Sequence, residues 1–175
     1  MSRSIRVSQT SEEPVESRIL IAGVGNRLMG DDGFGPRVIE LLESNSLPWN
    51  VEIRDIGTAG LTIATDLGDY ELVVFIDSMN IEGEPGKLVK EEVKVEGGLE
   101  DMTELSRLSL HEVGLEGLLR FSKAIGTLPS KIILIGCKPR DIGPSLELSP
   151  EVNKATYQAV VMVHEILESL NQMME

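Results

Sequence analysis

The chain has 175 residues, enough for one domain with a substantial core and short for two. Its 16 Lys and Arg against 29 Asp and Glu leave a formal charge of −13, which repels nucleic acid and anionic membrane surfaces and attracts cations or basic partners. Hydrophobic residues at 41% exclude a disordered acidic tail, and aromatics at 3% leave no stacking platform for single-stranded nucleic acid.

Residues 1–17, MSRSIRVSQTSEEPVES, lack the apolar centre of a secretory signal and read as a flexible polar leader. No apolar run reaches the roughly 18 residues of a membrane span. The lone Cys137 excludes an internal disulfide and suits a reducing compartment. The expectation is a cytoplasmic protein with one domain over residues 18–175.

Arg18 to Gly25, RILIAGVG, is a short apolar run closed by glycines and predicts a buried strand. GFGPRVIELLESN follows with Phe34, Val38, Leu41 and Leu42 at helical spacing. Pro36 is tolerated only in a first turn, so the helix starts near it. NVEIRDIG predicts the second strand, ending at Asp55, and LTIATDLGDY a short helix or turn. ELVVFIDSMN predicts the third strand, apolar until Asp77. GKLVKEEVKVEG alternates partly and is heavily charged, as a half-exposed antiparallel edge strand would be. Residues 97–108 read as a loop. Ser109 with Glu112 forms a capping box that opens a helix running to about Ala124. KIILIGCKP predicts another buried strand, stopped by Pro139. Ser149-Pro150-Glu151 starts a last helix with Val152, Ala155, Ala159, Met162, Ile166 and Leu170 on one stripe. The alternation predicts a single three-layer α/β domain. Its sheet is mostly parallel and twisted, with about five strands, one of them an antiparallel edge, and helices on both faces.

In such a sheet, ligands bind at the carboxyl ends of the strands, where strand order reverses. If strands one and three flank that point, Asp32, just beyond strand one, faces Asp77, at the end of strand three. His111 falls in the first turn of the helix opened by Ser109 and shares a stripe with Leu115, Leu118 and Leu119, so its ring points inward. The positive helix end keeps it neutral, with a lone pair to give. Two carboxylates and one imidazole suit zinc, nickel or a similar divalent ion, with positions left for water or a partner's ligands.

Each residue also has a structural alternative. Asp31 or Asp32 could be a helix cap or first-turn acid, Asp77 a turn former at a strand end, and His111 a core histidine. Asp31 is assigned to local structure and Asp32 to the crevice. His164, between Val163 and Glu165, reads as a structural residue on a helix flank, and Cys137 as a buried strand-end residue. Asp55 could bind ribose or shape a crevice with the following GTAG.

The stretch GVGNRLMGDDGFGP, residues 23–36, resembles a phosphate-binding glycine loop but fails its rule. The dinucleotide fingerprint needs glycine at the first, third and sixth positions, and the sixth here is Leu28. Asp31 and Asp32 would also put negative charge beside a pyrophosphate. A Rossmann-like nucleotide-binding oxidoreductase stays as an alternative, supported chiefly by Asp55.

GVGNRLMGDDGFG, VEIRDIGTAG, LVVFIDSMN and LSLHEVGL occur in the order and at the spacing of the hydrogenase maturation protease family, which the chain resembles from about Ile19 to Leu167. The resemblance implies an endopeptidase that removes a short C-terminal extension from the precursor of a nickel–iron hydrogenase large subunit after nickel insertion. The family's metal-contacting acids fall on Asp32 and Asp77 and its histidine on His111. Asp32 and Asp77 are then the expected catalytic pair, and Asn26 and Asp55 the expected substrate contacts. The central nickel is expected to arrive with the substrate, and zinc or cadmium could occupy the same ligands. A non-catalytic module that docks on a metallated partner is the further alternative.

Overall fold

The computed structural model describes residues 18–58, 60–95 and 114–174. The leader at 1–17, the loop at 97–108, the Ser109–Glu112 capping box and His111 lie outside the described residues. Five strands, β1 (Ile19–Val24), β2 (Val51–Gly57), β3 (Leu72–Ser78), β4 (Leu88–Glu92) and β5 (Lys131–Cys137), form one sheet in the order β2-β1-β3-β5-β4. The neighbours from β2 to β5 pair in parallel, and β4 closes the edge antiparallel to β5. Among the described residues, three helices, α1 (Phe34–Glu43), α2 (Leu115–Ile125) and α3 (Pro150–Met174), cover it. LTIATDLGDY contributes to two 3-10 turns, Gly60–Ile63 and Asp66–Asp69. The expected α/β architecture is the one found.

Period-two alternation sorts the strand side chains into two cores. On one face, Ile21, Val74, Ile76 and Ile135 pack against Val38 and Leu42 of α1 and Val152, Ala155 and Ala159 of α3. On the other, Leu20, Ala22, Val73, Phe75 and Leu134 pack against Leu118 and Leu119 of α2 and Leu67 of the second turn. The central strands are therefore apolar on both sides, as sheets covered twice require. The α3 stripe is broader than its spacing suggests. Val163 and Leu167 are fully in the core, while Met162 and Leu170 pack at its margin.

Helix α1 lies unusually close to the sheet because position 35 has no side chain. A Cβ on Gly35 would fall onto the carbonyl oxygens of Ile76 and Val24. That approach draws the start of α1, and the loop before it, against the ends of β1 and β3.

Two expectations need correction. The edge strand ends at Glu92 rather than continuing to residue 97, with only the Val93 N–H still bonded to Ile132. Helix α2 starts at Leu115, and Gly114 before it is extended, with ψ −165°. An extended residue breaks the helical bond pattern, so no continuous helix runs from Ser109 to Ala124.

Candidate active site

Strand order reverses between β1 and β3, since the chain steps from β1 outward to β2 and then back across to β3. This is the switch point at which crevices open in such sheets. Asp32 leaves β1 through a glycine-shaped loop and a 3-10 turn, Gly30–Gly33, that leads straight into α1. Gly25 makes the turn possible: its φ is +129°, and a Cβ there would strike the Asp32 carbonyl oxygen.

The carboxylate of Asp32 is held at both oxygens. Oδ2 accepts the Asn26 backbone N–H at 2.9 Å, and Oδ1 accepts the Ser78 hydroxyl at 3.0 Å. The second bond ties the β1 loop to the last residue of β3, next to Asp77. Asp77 lies on the opposite face of β3 from Ser78 and lines a cavity of about 320 Å³ with Met79, Leu115, Leu119 and Leu134. Burial, and then the nearby Asp32 charge, push its carboxyl up to about 7, against a Ser78 backbone hydrogen bond that favours the anion. The structure thus places Asp32 and Asp77 at the adjoining carboxyl ends of β1 and β3, near enough for the Asp32 charge to act on Asp77, with Asp32 bonded on one face of β3 and Asp77 lining the cavity on the other. His111 lies outside the described residues, and no cluster of three or more metal-ligating side chains occurs among the described ones.

Asp31 has the opposite situation. Its side chain is 1% exposed. It accepts Ser149 N–H at 2.7 Å, Arg140 N–H at 2.8 Å, Ser149 Oγ at 2.9 Å and Asp141 N–H at 3.1 Å. Burial raises its pKa, but these four bonds outweigh burial and hold the carboxyl below its ordinary range. Asp31 therefore anchors the β5–α3 connection to the β1 loop, and Ser149 at the start of α3 is one of its partners.

The remaining candidates resolve as follows. Asn26 Oδ1 accepts the Leu28 N–H at 2.9 Å, an Asx turn that shapes the loop. Asp55 accepts Arg27 Nε at 2.9 Å and the Gly57 N–H at 3.0 Å. Arg27 also reaches the Pro36 carbonyl at 3.3 Å, so the pair braces β2 against the α1 start. Cys137 is buried at the end of β5, and burial with the Asp31 charge pushes its thiol up to about 12, which leaves it inert. His164 sits 3.3 Å from Asn45 Oδ1 and links α3 to the residues after α1.

Sequence reasoning missed Ser78, Arg27 and the tertiary role of Ser149. For Ser78 a signal existed: in IDS the apolar run of β3 ends in two consecutive polar residues, which must point to opposite faces. For Arg27 no local signal marks its partner on another strand.

The chain and its fold have counterparts among known proteins. The family model for hydrogenase maturation proteases matches residues 36–166. A crystal structure of a hydrogenase 2 maturation peptidase from Thaumarchaeota archaeon SCGC_AB-539-E09 is 61% identical, with a TM-score of 0.67 over 86% of this chain and 98% of that one. The hydrogenase maturating endopeptidase HybD from E. coli is 30% identical, with a TM-score of 0.73 over 87% of this chain and 93% of that one. The hydrogenase expression/formation protein HupD of Rhodobacter capsulatus is 32% identical over 149 residues, 82% of this chain and 70% of its own length. By the span of the family match and the identity of these relatives, the chain belongs to the hydrogenase maturation protease family.

Proposed function

We propose that the chain cuts a C-terminal extension from the precursor of a nickel–iron hydrogenase large subunit once nickel is in place. Family membership makes it a peptide hydrolase of hydrogenase maturation. The observation that carries the mechanistic reading is Asp77, a carboxyl raised to about 7 beside a second carboxylate at the switch point of the sheet. Two carboxyl groups in unlike environments divide acid and base work between them. Asp32, fixed at both oxygens, offers an oriented anionic edge. Asp77 gains or loses a proton near neutral pH and can serve the attacking water or the leaving amine.

The substrate's nickel would supply Lewis-acid polarisation. Asp32, Asp77 and His111 are the residues assigned to meet it, so the site reads whether the metal is present. Zinc or cadmium would suit the same donors. Asn26 and Asp55, at the ends of β1 and β2, are assigned to the substrate on either side of it. The reaction is placed in the cytoplasm, where the buried Cys137 thiol stays reduced.

The test is incubation with a nickel-loaded large-subunit precursor, followed by intact mass. Wild type is expected to release the C-terminal peptide, and Asp32→Asn and Asp77→Asn to slow release by about a hundredfold or more. A stable complex with an intact tail would make the chain a metal-dependent binding module instead. Wild-type rates in Asp77→Asn would remove Asp77 from the chemistry.

A further inference from the structure

Ser78 closes β3 and is held there by the ladder. It stands opposite Cys137 of β5, and the next residue, Met79, still donates its N–H to the Cys137 carbonyl at 2.8 Å. Its hydroxyl is therefore carried by a rigid element. Asp32 comes from another part of the chain, the turn before α1. One of its two bonds, from the Asn26 N–H to Oδ2 at 2.9 Å, comes from six residues upstream and fixes the carboxylate relative to its own loop. The other, from the Ser78 hydroxyl to Oδ1 at 3.0 Å, spans 46 residues and fixes it relative to β3.

Ser78 also reaches the second carboxyl group. The Asp77 side chain, on the opposite face of the strand, accepts a hydrogen bond from the Ser78 backbone. One residue is thus bonded to both acids, through its hydroxyl on one face of β3 and through its backbone on the other. Asp32 and Ser78 are both half-buried, so their bond is partly shielded from competing water. A carboxylate bonded at one oxygen can still swing about that bond, and a second bond at the other oxygen stops the swing.

We propose that Ser78 is a positioning residue for the hydrolysis: its hydroxyl holds the Asp32 carboxylate in one orientation relative to Asp77, so that a peptide laid across the end of β3 meets both groups in fixed geometry. The inference rests on the proteolytic reading above. The hydroxyl carries no charge, so removing it leaves the Asp32 charge in the site and recognition of the precursor intact. What is lost is alignment, which counts in the transition state.

The test is a double-mutant cycle of Ser78→Ala and Asp32→Ala on the nickel-loaded precursor. Melting temperature is the folding control, and Ser78→Thr, which keeps a hydroxyl on Cβ, is the rescue. Ser78→Ala is expected to lower kcat about tenfold with KM within about twofold, and Ser78→Thr to recover most of that loss. In the Asp32→Ala background, Ser78→Ala is expected to cost nothing further, because a residue that acts through Asp32 then has nothing to position. A wild-type kcat in Ser78→Ala, a loss confined to KM, a loss that adds in full to that of Asp32→Ala, or a folded Ser78→Thr as slow as Ser78→Ala overturns the positioning role. Abolished cleavage in folded Ser78→Ala overturns it too, by making the hydroxyl a nucleophile. In each of these cases a cleaving wild type leaves the proteolytic reading standing. If wild type binds the precursor without cleaving it, the proteolytic reading falls, and the same cycle read in Kd by titration calorimetry judges Ser78. If wild type neither binds nor cleaves, both fall.

Discussion

Asp31 and Asp32 are adjacent, identical in type and opposite in role, and the difference comes from where their bonds lead. Asp31 Oδ1 and Oδ2 are saturated by the β5–α3 connection, so Asp31→Ala leaves the part-buried N–H groups of Arg140, Asp141 and Ser149 without their acceptor. The expected loss is on the order of 3 kcal/mol in a denaturant melt. Its folded pKa lies below the ordinary 3.8, so its stabilisation is present above that value and is lost as pH falls through the folded pKa. Acid melts of wild type should therefore steepen below about pH 4, and those of Asp31→Asn should flatten there. Asp77 has the opposite sign. Its folded pKa is raised to about 7, so its contribution is complete below the unfolded value and is lost as pH rises through about 7. Without substrate or metal, Asp77→Asn should be more stable than wild type at pH 8, on the order of 3 kcal/mol, with the gap closing near pH 4. A gap that does not change between those pH values would show that Asp77 is not held protonated by burial. The structural role of Asp31 was legible in the motif. The Ser78 hydroxyl on Asp32 was not, because it joins the turn before α1 to the end of β3, which no local spacing connects.

Helix α1 shows how one element sets the site. Its seat against the ends of β1 and β3 depends on Gly35, where an added Cβ would fall onto backbone oxygens of Ile76 and Val24. Backbone cannot rotate away as a side chain can, so Gly35→Ala must shift the helix. The expected cost is about 2–4 kcal/mol in thermal unfolding, with loss of processing because Asp32 moves with the helix start. Periodicity located α1 and α3 because both present sustained apolar stripes to one core. It overran at α2, whose predicted span ran through Gly114. Gly114 carries no Cβ and takes the extended conformation that starts the helix afresh. Edge strand β4 was overrun for a related reason: the alternation persists to Val95, but the ladder to β5 stops at Glu92.

Across the molecule, one sheet with two cores holds everything in register. The long apolar strand runs specify burial on both faces, and burial on both faces specifies parallel strands under helices. This is why the architecture followed from the chain's own pattern. The same pattern placed Asp32 and Asp77 at strand ends and Cys137 in a buried one, since each position depends only on where an apolar run stops. Tertiary structure alone decided which groups meet. Strand order put β1 beside β3, the Ser78 hydroxyl closed onto Asp32, and Arg27 crossed to Asp55. It also stitched the β1 loop to the β5–α3 connection through Asp31. Local sequence specifies where an element begins, ends and buries its face, whereas a hydrogen bond between residues far apart in the chain exists only after the sheet has brought its strand ends together.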